Sequence, residues 1–401
     1  MNKPTPRRDC PSLARPMRTG DGLMLRLTPI APMPAAAWAE LADVAEGLGN
    51  GLIDLTLRGA VQVRGLRDET VAAAQARLLE VGFVESRPVL ATDPLGPDDP
   101  HAMGDSHALA ARLADLLTTQ PLPPGLPPKV TVALDAAGRL DQLTADLRLR
   151  WVGVDRLWLI VGDRVVDESR ADSGPALVRD YLERMARAGC RGVDFHSSIA
   201  LPLSVTPAQA RVQNAKHLAP RNWTPACAGV TVEGGGAVAT EAHFVSAPLP
   251  LGPITPDIHL LVPAFGALTC AQLQELLATP GLTALRPAAG RRLAVWGSQG
   301  AGCFPPFLAT DDADPRLAVS ACPGAPSCGS ALRPTRALAT ALAEGNYGVL
   351  HLSGCGKGCG APGDGTAQAI ATADGWDLQG DDVSRLAAGL AAMGERRNDA
   401  L

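Results

Sequence analysis

The sequence predicts an α+β protein in which one set of elements is used twice. Three observations carry this. Stretches of alternating apolar and polar residues interleave with stretches of helical period. The order strand, helix, strands occurs near residue 22 and again near residue 257. Proline-rich or glycine-rich segments mark the places where the pattern changes.

Residues 1–19 read as an irregular arm, because Pro4, Pro6, Pro11 and Pro16 block helix and sheet alike. Residues 20–86 then run strand (GLMLRLTPI), helix (AAAWAELADVAEGLG), strands with a bend near Gly59 (GLIDLTLRGAVQVRGL) and helix (DETVAAAQARLLEVG), closing on Gly82. That is the order of a small ferredoxin-like sandwich. Residues 243–307 repeat it loosely, with DIHLLVPAF as a strand, TCAQLQELLATPG as a helix, and LTALRPAAGRRLAVWG as two strands turning at Ala288 to Gly290. Two larger α+β units are expected at 87–207 and 308–401. The first holds DSHALAARLADLLTTQ, a helix that Asp105 or Ser106 would cap, the strand-like LPPKVTVALD and DRLWLIVGD, and the helix PALVRDYLERMARAG. The second ends in a hairpin (TAQAIATADGWDLQG) and a helix. Residues 208–242 lack periodicity, contain a glycine triplet and read as a linker or insertion; NWTPACAGVT within them resembles a translated dispersed repeat, so Cys227 reads as a dispensable thiol.

Composition narrows the function. A chain of 401 residues needs more than one core, and 46% apolar residues is ordinary for a globular protein. A net charge of −5 argues against a nucleic-acid partner. No run approaches the roughly 20 apolar residues of a membrane span, and MNKPTPRRDCPSLARPM lacks the apolar core of a signal peptide. A cytoplasmic protein with no membrane partner is expected.

The chemistry concentrates in ACPGAPSCGSALRPTRALATALAEGNYGVLHLSGCGKGCGAP, residues 321–362. Cys322 and Cys328 form a C-x5-C pair, Cys355 and Cys359 a C-x3-C pair, and each sits in a loop of small residues that lets backbone approach an inorganic body. Four thiolates in two short loops suit a 4Fe-4S cluster. Zinc is the rival, disfavoured by the five-residue gap, and disulfides would require an oxidising compartment. His351, four residues before Cys355, is placed to ligate or to donate to a cluster sulfur, or else packs as an ordinary strand-end histidine. Lys357 lies where it would offset cluster charge, or is a solvated loop lysine. Cys10, Cys190, Cys270 and Cys303 lack partner spacing, and His101 and His107 do not share a helical face.

The cysteine spacing, with Pro362 soon after it, resembles the C-terminal cluster motif of the sirohaem-dependent sulfite and nitrite reductases. HLSGCGKGCGAP, together with CPSLARPMRTGDGL at the N-terminus, is more similar to one branch of them, the precorrin-3B synthase family of aerobic cobalamin synthesis. The resemblance implies a duplicated nitrite/sulfite reductase-like architecture with pseudo-twofold symmetry. It implies a monooxygenase that converts precorrin-3A to a C20-hydroxylated γ-lactone, using O2 and a reduced donor such as NADH. Besides the cluster it implies an iron centre, either a sirohaem or a mononuclear non-haem iron, with Cys359 as a bridge to it. A sulfite or nitrite reductase is the alternative.

The same resemblance assigns cations to the substrate's carboxylates. TLRGAVQVRG matches the family's Thr-x-Arg strand at Thr56, Arg58, Gln62 and Gly65, SRPVL supplies Arg87, and LPPKVTV supplies Lys129. Arg64 is a weaker candidate on the strand of Arg58. Thr131 stands where sulfite reductases have a second lysine, and Pro128 replaces the preceding arginine. A thinner cationic group suits a tetrapyrrole substrate better than six-electron reduction of sulfite. No G-x-G-x-x-G follows a strand in the right setting, so electrons are expected through a donor protein or by docking at another surface.

Overall fold

The computed structural model describes residues 11–83, 88–127, 130–141, 143–162, 164–192, 195, 249–297, 304–358, 361, 365–381 and 383–395. The chain forms two compact units, one joining Met1–Arg87 to Pro248–Leu401, the other Pro88–Ala247.

The first unit begins with β1 (Met17–Thr19), β2 (Gly22–Leu27), β3 (Met33–Pro34), α1 (Ala35–Leu48), β4 (Leu52–Leu55), β5 (Val61–Leu66) and α2 (Val71–Glu80). The second unit comprises β6 (Val89–Thr92), α3 (Ser106–Thr119), β7 (Thr131–Asp135), β8 (Leu147–Gly153), β9 (Arg156–Val161), β10 (Arg164–Arg170) and α4 (Gly174–Ala188). The chain then returns to the first unit with β11 (Gly252–Thr255), β12 (Ile258–Pro263), β13 (Ala267–Thr269), α5 (Cys270–Leu277), β14 (Ala284–Ala288), β15 (Arg292–Trp296) and β16 (Leu308–Ala309). It ends in β17 (Val319–Ala321), α6 (Arg336–Glu344), β18 (Leu350–Ser353), β19 (Ala367–Ala371), β20 (Trp376–Gln379) and α7 (Val383–Ala392).

The two half-domains expected from the repeat are present, and they are interlocked. β13 from the second pairs with β4 of the first, and β3 from the first pairs with β14 of the second. Each sheet therefore borrows an edge strand from the other copy, which ends both sheets in a very short strand. One hydrophobic core serves both: Trp38 and Leu41 of α1 and Leu273 and Leu276 of α5 are fully buried in it, and the Trp38 indole donates to the carbonyl of Leu285 at 3.0 Å. The periodicity did not reveal this exchange, because β3 and β13 are only two and three residues long.

Two helix starts are closed by side-chain caps. The Asp105 carboxylate accepts from the Ala108 amide at 2.9 Å and caps α3, as expected. Thr269 and Gln272 form a reciprocal capping box at the start of α5. In the second unit β6, β7 and β8 are parallel, with β9 and β10 added antiparallel. The last part of the first unit has a similar sheet: β17, β18 and β19 are parallel and β20 is antiparallel. This last sheet positions the cysteines.

Candidate functional site

β17 and β18 run parallel with Ala321 opposite Leu352, so Cys322 and Gly354 leave the sheet side by side at its carboxyl edge. The Cys322 amide donates to the Leu352 carbonyl at 3.0 Å, and the Gly354 amide donates to the Cys322 sulfur at 3.1 Å. Cys355 comes directly after. The loop carrying Cys328 is fastened to the same edge: Leu332 N–H donates to the Gly354 carbonyl at 2.7 Å, and Cys328 N–H to the Gly324 carbonyl at 2.8 Å. Thr335, at the start of α6, donates its hydroxyl to the Cys322 carbonyl at 2.6 Å. Only glycine fits at Gly324, where φ is +67° and a Cβ would lie 2.4 Å from the Thr335 hydroxyl. Three half-buried thiols, none in a disulfide, thus sit on adjoining loops beyond the carboxyl ends of parallel strands, where open α/β sheets bind ligands.

The first half-domain supplies a wall. The turn joining β1 and β2 lies against Cys328, and Asn50 donates to the Ser327 carbonyl at 3.5 Å. Behind it runs a buried chain of charges. Arg64 on β5 forks onto Asp21 at 2.8 and 2.9 Å and reaches Asp54 on β4 at 3.3 Å. Asp54 also accepts from Arg336, in the first turn of α6, at 2.9 Å, tying the cysteine-bearing sheet to the first half-domain. Arg291, in the β14–β15 turn, lies within Coulombic reach of both Asp54 and Arg336. Burial alone would raise the Asp21 carboxyl, but the Arg64 fork and the Thr19 hydroxyl outweigh it and hold it below the usual range. Of these charges, Arg64 interacts directly with the Cys328 sulfur.

Cys322, Cys328 and Cys355 are brought together; Cys359, Arg87 and Lys129 lie outside the described residues, as do Pro128, Pro362, Cys10, Cys227 and Cys303. Arg58 is in the turn between β4 and β5, not on the strand of Arg64; its backbone bridges to Ala289, and Gly290 N–H donates to the Leu57 carbonyl at 3.0 Å. Arg64 is occupied by Asp21 and Asp54. His351 is 1% exposed with Nδ1 2.8 Å from the Ser320 hydroxyl and Nε2 3.1 Å from that of Ser353, so both nitrogens are taken by hydroxyls and it packs as a strand histidine. Burial, with Arg291 nearby, pushes it down to about 4. Lys357 donates to the Ser330 hydroxyl at 2.8 Å across the cysteine loops. Cys270 is a core thiol bonded to the Ala42 carbonyl and pushed up to about 11 by burial. His107 faces the Asp93 carbonyl at 3.1 Å. Arg291 and Arg336 are functional candidates that sequence reasoning passed over; for Arg336 the available signal was an arginine opening an amphipathic run between the two cysteine loops.

Comparison with known proteins agrees with this geometry. Residues 15–81 match the family model described as the nitrite/sulfite reductase ferredoxin-like half domain. A solved structure of the NirA protein of Mycobacterium tuberculosis superposes with a TM-score of 0.60 at 16% identity, covering 90% of this chain and 75% of the other. At that identity the likeness concerns the fold. A curated precorrin-3B synthase from Sinorhizobium sp is 30% identical over 383 residues, 88% of this chain and 78% of the relative. The chain belongs to the precorrin-3B synthase family. Its cysteine loops fit the cluster expected of the nitrite/sulfite reductase fold: thiol donors, a backbone amide aimed at the Cys322 sulfur and the Arg64 cation acting on Cys328 suit an anionic iron–sulfur body. Among the described residues no three His, Cys, Asp or Glu side chains group closely enough to hold a single metal ion. No helix among the described residues is long and apolar enough to cross a membrane.

Proposed function

We propose that this chain is a cytoplasmic precorrin-3B synthase, an O2-dependent monooxygenase that hydroxylates precorrin-3A at C20 and closes a γ-lactone with the ring A acetate. One oxygen atom of O2 enters the product and the other leaves as water, with two electrons from a reduced donor such as NADH, delivered directly or by a donor protein. The observation that carries the reading is the group of thiol-bearing loops at the carboxyl edge of β17–β18, tied to the first half-domain through Arg336 and Asp54. The 30% identity to a named precorrin-3B synthase supports the choice of substrate.

Cys322, Cys328, Cys355 and Cys359 would hold a 4Fe-4S cluster, with Cys359 as a bridge to a sirohaem or non-haem iron. When bound, these groups supply single-electron transfer and oxygen activation. The chain's own residues bind and orient. Arg58, Arg87 and Lys129 grip the macrocycle's carboxylates, since forked or fixed cations hold carboxylates in one pose. Arg336 locks the cysteine-bearing sheet to the half-domain that carries Arg58.

Anaerobic purification with iron and sulfide analysis, and then addition of precorrin-3A with and without O2, tests the reading. It predicts a brown protein whose product gains one oxygen only when O2 is present. Turnover of sulfite or nitrite with reduced methyl viologen, without reaction of precorrin-3A, would establish the reductase alternative instead.

A further inference from the structure

The turn between β1 and β2 sits directly on the Cys328 loop. A methyl group on Gly20 would lie 3.0 Å from the Cys328 sulfur and 2.9 Å from the Ser330 hydroxyl, and one on Gly329 would lie 3.1 Å from the Gly20 carbonyl. Nothing separates the two segments. The residue after Gly20 is Asp21, whose side chain is 1% exposed and receives both Arg64 Nε at 2.8 Å and Asn50 Nδ2 at 3.2 Å. Asn50 also reaches the carbonyl of Ser327, the residue before Cys328. Arg64, Asp21 and Asn50 therefore form a strut from β5 to the cysteine loop. The Arg64 side chain is only 14% exposed, so its charge is weakly screened by water.

We infer that Arg64 sets both the position of the Cys328 loop and the reduction potential of the cluster held there. It is a positioning residue, acting through Asp21 and through its field, and makes no contact with substrate in this scheme. This rests on the reading that the cysteines hold a 4Fe-4S cluster. Reduction adds one electron to an already anionic cluster, and no bond to a cysteine forms or breaks. A fixed cation nearby favours the reduced state and raises the potential; a fixed anion does the reverse. Burial would lower the Arg64 guanidinium, but Asp21, Asp54 and Cys328 outweigh it and hold it protonated.

The test is a potentiometric titration of the full-length protein, purified anaerobically and monitored by visible absorption and electron paramagnetic resonance. Arg64→Gln is expected to lower the midpoint potential and Asp21→Asn to raise it, while Arg64→Lys keeps the potential near that of the parent and loses iron to a chelator several-fold faster. Opposite shifts from the two partners of one ion pair are what a merely structural role does not produce. If Arg64→Gln does not fold, Asp21→Asn and Arg64→Lys still decide the matter. A cluster-bearing parent whose potential is unmoved in Asp21→Asn and Arg64→Gln, or moved in the same direction by both, overturns this inference alone. A parent that holds no cluster overturns it together with the proposed function.

Discussion

The sheet β6–β7–β8–β9 and the sheet β17–β18–β19–β20 share one plan: three parallel strands, a helix between the first and second, then an antiparallel return. They differ in the residues at or just beyond the carboxyl ends of the first two strands. Cys322 and Cys355 occupy those places in one sheet, Asp93 and Asp135 in the other. Asp93 is fully buried, accepts from the Ala136 and Ala137 amides, and is pushed upward by burial and by Asp135. Asp135 accepts from Arg150 at 2.7 Å and Arg148 at 3.4 Å. One carboxyl edge carries thiols, the other is closed by an internal ion network. The backbone plan decides where a site can form, and the residues leaving the strands decide whether it is a site or a rivet.

The largest effect that would sharpen this contrast comes from Cys322→Ser, Cys328→Ser or Cys355→Ser. Each is expected to lose the cluster and all measurable turnover, read by iron content and product formation, while Asp135→Asn keeps the iron content of the folded protein. Second in size, Asp135→Ala leaves Arg148 and Arg150 without their shared buried partner and is expected to destabilise the Pro88–Ala247 unit by roughly 3–5 kcal/mol in a denaturant titration. An unchanged midpoint would show that the network is not structural.

The two sheets also respond to pH in opposite senses. His351 is held neutral, with a pKa of about 4 against 6.5 in the unfolded chain, so its contribution is complete above 6.5 and is lost as pH falls toward 4. That loss is at most about 3 kcal/mol, and His351→Gln is expected to flatten the slope of stability against pH in this window. Asp93 has a raised pKa, so its contribution is complete below the ordinary aspartate value and declines as pH rises through the folded one. The smallest effect is Asp105→Ala, which removes the cap of α3 and is expected to cost about 1 kcal/mol in thermal unfolding without changing iron content.

Much of this was legible in the sequence, for physical reasons. Alternation marked β2, β4 and β5 because their apolar residues pack on a shared core, and the cap at Asp105 is a local signal with a local partner. Cys322 and Cys355 stand where the sequence suggested, in loops of small residues that leave the strands. What escaped detection was non-local. Swapped strands of two or three residues have no period to detect, and the chain Asp21–Arg64–Asp54–Arg336 joins residues up to 282 positions apart in sequence. Arg64 is visible in the sequence as a strand cation, but its carboxylate partners Asp21 and Asp54 arrive only on folding.

A Mössbauer spectrum of the anaerobically purified full-length chain, compared with that of Cys328→Ser, tests the central claim most directly. The account predicts the signal of a four-iron cluster in the parent and its loss or conversion to a smaller cluster in the variant. An iron-free parent, or identical spectra from the two proteins, would contradict it.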